Sequence, residues 1–138
     1  MPTKSDDFYK KGDIVDAPFP YQIPQDDSED EKYRPVLILA PAQVKGGFIC
    51  AYITSKSHRL GVIPIFARDF KEGTLSYDPS YIQPSTVYTV DAGLIRRKYG
   101  TLKDDKVEEV IKALVDILQK PPEISPTAKA WERPKKNF

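Results

Sequence analysis

The chain has 138 residues, 40% of them hydrophobic and 30% charged, with a formal net charge of +1. That length buries one core and is too short for two, the composition is that of an ordinary soluble globular protein, and no apolar run approaches the length of a membrane span. Near-neutral charge excludes a globally basic surface, so a nucleic-acid site has to be a local patch; acids gather at 26–31 and bases at 56–59 and 96–98.

Residues 1–11 are polar, lack the apolar centre of a signal peptide, and read as a flexible N-terminus. Residues 12–20 read as a first strand, with Ile14 and Val15 followed by Ala17 and Phe19, and with Pro18 and Pro20 marking an edge or an early end. The stretch 21–32 reads as loop, because 26–31 holds five acids in six positions with no apolar periodicity. A second strand covers 34–40, Lys45-Gly46-Gly47 supplies turn chemistry, and a third strand covers 48–55. Cys50 sits inside the third strand; one thiol forms no internal disulfide, which fits a reducing cytoplasm.

Residues 62–66 give a fourth short strand, its Pro64 arguing for a sheet edge. The stretch 67–83, with Gly73, Pro79 and three acids among its apolar positions, reads mostly as loop, 85–90 as a further strand, and 94–98 as a short one ending at Gly100. Val107, Val110, Ile111, Leu114 and Leu118 fall at i, i+3, i+4, i+7 and i+11, a helical stripe fit to cover the open end of a barrel. Thr101 is placed to cap that helix, Asp104 and Asp105 suit its positive N-terminal end, and Lys120-Pro121-Pro122 stops it. Residues 123–138 lose periodicity and gain Pro, Lys and Arg, a flexible tail whose Trp131 and Phe138 are able to dock. Many short strands with tight turns and one late helix predict a mainly β fold, a small barrel spanning 12–119, between flexible ends at 1–11 and 120–138.

Two residues stand out chemically. Arg34 enters the second strand, held extended by Pro35, and Thr54 leaves the third; paired as a hairpin, the two ends share one rim. A guanidinium there is a planar fork for phosphate, and equally a partner for an acid of 26–31. A threonine there offers a hydroxyl, and equally is only a β-branched strand former. Ser55 is placed to share that role. Lys56, His58 and Arg59 follow as a basic knot able to hold a nucleic-acid backbone, or simply as a solvated loop. His58, the sole histidine, titrates near neutrality and is either an acid-base group or an exposed loop residue. Tyr81, Tyr88 and Tyr99 are base-stacking surfaces or core and interface residues. The acids of 26–31 are a solubilising loop, or a charge mimic of RNA folding over the site.

The opening Gly12-Asp13-Ile14-Val15, the run Arg34-Pro35-Val36-Leu37-Ile38-Leu39, then Ile53-Thr54-Ser55-Lys56, Pro84-Ser85-Thr86-Val87, Leu94-Ile95-Arg96-Arg97-Lys98-Tyr99-Gly100 and the helical 107–118 together resemble the MazF/PemK (Kid) toxins of type II toxin-antitoxin systems. The likeness covers about residues 11–119. It implies an SH3-like β-barrel of MazF/CcdB type, a homodimer, a cognate antitoxin as partner, a cytoplasmic setting, and no cofactor or metal. It further implies sequence-selective cleavage of single-stranded RNA by attack of a ribose 2′-hydroxyl. In that resemblance Arg34 matches the family's catalytic arginine and Thr54 the threonine ending the Ile-Thr strand, with Ser55, Lys56, His58 and Arg59 as RNA-binding residues. One departure stands out: some members carry an arginine and an aspartate on the strand matching 85–90, where this chain has Tyr88 and Val90, with Asp91 one position on. The acid-base group is therefore unassigned. Because fold alone does not fix function, two other readings stay open: a CcdB-like toxin gripping DNA gyrase, which has no need of the Arg34/Thr54 pair, and a barrel retained as an interaction domain.

Overall fold

Seven strands form one sheet: β1 (Asp13–Pro18), β2 (Tyr33–Pro41), β3 (Gly47–Thr54), β4 (Ile63–Ile65), β5 (Phe70–Gly73), β6 (Ser80–Asp91) and β7 (Arg97–Leu102), followed by helix α1 (Asp104–Gln119). The computed structural model describes residues 9–18, 33–42, 46–56 and 61–120. The acidic loop 26–31, His58, Arg59 and the tail with Trp131 and Phe138 lie outside the described residues.

The strand order is β4-β6-β3-β2-β1-β7-β5 and every ladder is antiparallel. β4 and β5, consecutive in the chain, therefore stand at opposite ends of the sheet. Only residues 66–69 join them, and a chain of that length spans at most roughly 18 Å from Ile65 to Phe70. The sheet has to curl until its two edges approach, giving the half-barrel with one C-terminal helix that the sequence predicts.

Both faces of the central strands are buried. In β1, β2 and β3 one set of alternating residues (Ile14, Leu37, Leu39, Ala51, Ile53) enters the larger apolar cluster, where Val107 and Val110 of α1 join it. The other set (Val15, Ala17, Val36, Ile38, Cys50) enters a second cluster with Phe48 and Val90. This explains why the second strand reads as an unbroken apolar run instead of an alternation. β1 lies between β2 and β7, so Pro18 marks the end of a strand and not a sheet edge, whereas Pro64 does sit on edge strand β4.

Three expectations are corrected. The stretch 67–83 is not mostly loop: a 3-10 turn (Ala67–Asp69) leads into β5, and β6 begins at Ser80. β5 escaped notice because its sequence, Phe-Lys-Glu-Gly, buries only Phe70 and carries no alternating pattern. β6 runs on both sides of Pro84, which cannot donate to a ladder. The register passes from Ala51 opposite Val87 to Tyr52 opposite Gln83, so residues 84–86 bulge out, and Gln83 Nε2 donates to Thr86 Oγ1 at 2.6 Å across the bulge. The strand expected at 94–98 is β7, beginning at Arg97 and continuing through Gly100 to Leu102. Thr101 accordingly does not cap the helix; its hydroxyl donates to buried Asp13 Oδ1 at 2.9 Å, and the N-cap is Lys103, without a side-chain cap bond. The helical stripe is as expected near its start, while Leu118 at its far end is exposed.

Candidate active site

Arg34 is the second residue of β2 and pairs with Ala17 of β1. On its other side β2 meets β3 with Val36 opposite Tyr52, and carrying that register two residues further sets Arg34 across from Thr54 on the same face. Both line a pocket of about 350 Å³. The β2–β3 rim contributes Pro35, Tyr52, Ile53, Ser55 and Lys56; the chain between β5 and β6 contributes Leu75, Ser76 and Tyr77, with Ser80 and Tyr99 completing the wall.

Arg34 is half-buried, and its Nε is enclosed with no hydrogen-bond partner among the described residues. None of the ion pairs among those residues involves it. Thr54 is buried, and its Oγ1 accepts the backbone N–H of Lys56 at 3.1 Å. That bond turns the chain after β3 so that Lys56 reaches the pocket, and it occupies a lone pair of the hydroxyl while leaving its hydrogen to donate. Arg34 and Lys56 are the charged side chains of the lining; no described lining residue is a carboxylate or an imidazole. In a chain of nearly balanced charge, this is a local positive site rimmed by hydroxyls, suited to a phosphodiester.

A second layer holds the wall. Asp16 of β1, 5% exposed, accepts Arg96 Nε and Nη2 at Oδ2 (3.1 and 2.9 Å) and the Tyr99 hydroxyl at Oδ1 (3.1 Å). The Arg96 guanidinium lies 3.6 Å from the ring centroid of Tyr33, the residue before Arg34, and that of Arg97 lies 4.6 Å from the Tyr99 ring. One carboxylate thus ties the start of β2 and the Tyr99 wall together.

The pocket collects Arg34, Thr54, Ser55 and Lys56 from the sequence-derived set; His58 and Arg59 are outside the described residues. Of the three tyrosines singled out, Tyr99 lines the pocket, Tyr88 packs on the second apolar cluster, and Tyr81 sits opposite Pro64 of β4. Val90 is core, and Asp91 Oδ1 accepts the N–H of Gly93, capping the 3-10 turn Ala92–Leu94. Sequence reading missed Tyr52, Tyr77, Ser80 and Asp16. An acid inside the apolar run Ile14-Val15-Asp16-Ala17 was the available signal for the last; Tyr77 was hidden within the stretch taken as loop.

Residues 10–118 match the PemK-like, MazF-like toxins of type II toxin-antitoxin systems. Among solved structures, the MazE–MazF complex of Deinococcus radiodurans (form II) superposes with a TM-score of 0.59 at 19% identity, over 82% of this chain and 97% of that one. Mycobacterium tuberculosis toxin MazF-mt6 gives 0.56 at 20% identity, over 80% and 99%. An endoribonuclease from a mycobacterial species, in complex with its cognate antitoxin, gives 0.57 at 12% identity, over 83% and 97%. No curated protein sequence matches the chain. The structural neighbours share the curled sheet and terminal helix, and the family match extends over most of the sequence: the chain belongs to the PemK-like, MazF-like toxins of type II toxin-antitoxin systems.

Proposed function

We propose that this protein is a metal-independent, sequence-selective endoribonuclease that cuts single-stranded RNA by attack of a ribose 2′-hydroxyl on the adjacent phosphodiester. The observation that carries the reading is Arg34, a half-buried guanidinium at the pocket wall with an enclosed, unpartnered Nε among the described residues and the Thr54 hydroxyl across from it. An unmade bond on a buried donor costs about 1–3 kcal/mol, so the strand holds this guanidinium at the pocket wall against its own stability.

In this mechanism the 2′-oxygen gives up its proton and bonds to phosphorus, the bond from phosphorus to the 5′-oxygen breaks, and that oxygen takes up a proton. The products carry a 2′,3′-cyclic phosphate and a 5′-hydroxyl. Arg34 donates to the non-bridging oxygens as negative charge grows on them, the moment at which a fixed cation helps most. Thr54 donates its hydroxyl hydrogen to the same phosphate or to the departing oxygen. Ser55, Lys56, His58 and Arg59 are assigned to the flanking RNA backbone. With cations and hydroxyls in the lining and no carboxylate among its described residues, neutralising the phosphate falls to Arg34 and Lys56, since a divalent ion would want oxygen-anion ligands. Family membership and the endoribonuclease–antitoxin neighbour support the same reading, which includes a cognate antitoxin, a homodimer and a cytoplasmic setting.

The test is incubation of purified wild type and Arg34→Ala with mixed-sequence RNA in EDTA, followed by sequencing of new ends. Cuts made by wild type alone, leaving the two ends named above, are expected. Equal cutting by Arg34→Ala would remove Arg34 from the chemistry, and no cutting by either would turn the assignment to a non-enzymatic protein binder, with gyrase the first target.

A further inference from the structure

Tyr77 is 67% exposed, and it is the one aromatic among the exposed large apolar side chains of the described residues. Its backbone is nevertheless fixed. Ser80 Oγ donates to the Tyr77 carbonyl at 2.7 Å, and the next residue, Asp78, accepts the N–H of Ala67 at Oδ1 (3.2 Å). An anchored loop holding a ring in water gains little folding free energy from that ring and leaves its face available to a ligand. Tyr99 in the same pocket is held at its hydroxyl by Asp16 and partly covered by Arg97.

The volume narrows the partner. At about 350 Å³ the pocket lies near the lower end of the roughly 300–1,000 Å³ range of ligand sites, room for one nucleoside-sized group and not for a run of several. Arg34 and Lys56 share this lining with the two tyrosines and with the hydroxyls of Ser55 and Ser76, so a nucleoside and its charged phosphate both find matching groups in it.

We infer that Tyr77 and Tyr99 are the stacking surfaces of a single-nucleobase subsite beside Arg34 and Thr54, and that the base seated there fixes which phosphodiester meets Arg34. The inference rests on reading this pocket as a site for single-stranded RNA, and it names the part of that RNA which is recognised. Stacking on a tyrosine tolerates every base, so the two rings supply affinity, while the Ser76 hydroxyl discriminates through the base edge.

The test uses the full chain and a short mixed-sequence RNA whose 2′-hydroxyls are replaced by fluorine, which removes the attacking group so that binding is read without cutting. Affinity is measured by fluorescence anisotropy for wild type, Tyr77→Ala, Tyr77→Trp and Tyr99→Phe, and cut sites are sequenced on unmodified RNA. Tyr77→Ala is expected to weaken binding about 5- to 100-fold and to redistribute the cut sites, because losing one base–aromatic stack has effects of that size. Tyr77→Trp should bind at least as well as wild type, and Tyr99→Phe, which keeps the ring, should stay within about threefold of it. Unchanged affinity and unchanged cut sites in Tyr77→Ala would overturn the subsite even if wild type cuts RNA. Tyr77-dependent binding of the fluorinated RNA by a protein that leaves natural RNA intact would sink the nuclease mechanism and leave the subsite standing.

Discussion

The hydroxyl of Tyr99 on β7 donates to Asp16 Oδ1 on β1 at 3.1 Å, while Oδ2 of the same carboxylate holds Arg96 through two N–H groups. Asp16 is buried and Arg96 is mostly exposed, so the partners respond unequally to loss. Asp16→Ala should destabilise the fold by about 1–3 kcal/mol, since the half-buried phenol and the Arg96 guanidinium both lose a buried acceptor, and Asp16→Asn by roughly half as much. Arg96→Ala should change stability by less than about 1 kcal/mol, because an exposed guanidinium is well solvated without its partner. Urea denaturation of the three variants orders them; a larger effect for Arg96→Ala than for Asp16→Ala would contradict this account.

Arg34 works against the stability of the strand that carries it. Arg34 is half-buried and its enclosed Nε lacks a partner among the described residues, so Arg34→Met should raise stability by about 0.5–2 kcal/mol while removing RNA cleavage. Arg34→Lys keeps a charge but not the planar fork, and cleavage should fall roughly 100-fold or more. Thermal midpoints set beside cleavage rates check both, and an Arg34→Met protein that melts earlier than wild type would show that the guanidinium has a structural partner.

Burial pushes the Cys50 thiol up to about 12 from an ordinary value of 9.0. Its thiolate is therefore nearly absent at pH 8, and a disulfide reagent should modify native protein far more slowly than protein unfolded in guanidinium. The linkage has a definite sign. The unfolded thiol ionises near pH 9 and the folded one near 12, so this contribution is intact below pH 9 and is lost by about 1.4 kcal/mol per pH unit between those values. Cys50→Ala should flatten that part of the stability profile; an identical alkaline decline in the variant would assign it to other groups.

Helix α1 starts at Lys103 without a side-chain cap, and a cation sits where the helix end is positive. The backbone of Lys103 is already extended, as a capping residue requires. Lys103→Ser should add about 0.5–1 kcal/mol, a rise of a few degrees in thermal midpoint for a domain of this size. Calorimetry decides, with no rise meaning that the first turn is already satisfied by other means.

The curled sheet and its terminal helix were legible because β2, β3 and α1 carry strong apolar patterns, and Arg34 and Thr54 are at the ends of two of those runs. What the sequence concealed depends on partners far along the chain. β5 is polar and short, and it becomes a strand because Gly73, with φ +71, packs its backbone against Gly100: a side chain at Gly73 would press on the Tyr99 carbonyl and come within 2.6 Å of the Gly100 Cα. Pro84 cannot donate within a ladder, and β6 runs through it only because residues 84–86 bulge out opposite β3. Thr101 looked like a helix cap because nothing local reveals that Asp13 claims its hydroxyl. The pocket was half visible for the same reason: one rim is a local hairpin, the other arrives from residues 75–77 and Tyr99.

β1 pairs with β7 between residues more than eighty positions apart, Asp13 with Thr101 and Asp16 with Arg97. A chain leaving the ribosome can form the β2–β3 hairpin, Arg34 and Thr54 included, well before β7 has been made, since hairpins close locally and distant pairings come late. A nascent or truncated chain that stops short of Tyr99 holds both of those residues and lacks the wall that completes their pocket. Synthesis itself thus sets the moment at which the site comes into being, once Tyr99 has been made and after the whole of the Arg34–Thr54 rim is already in place.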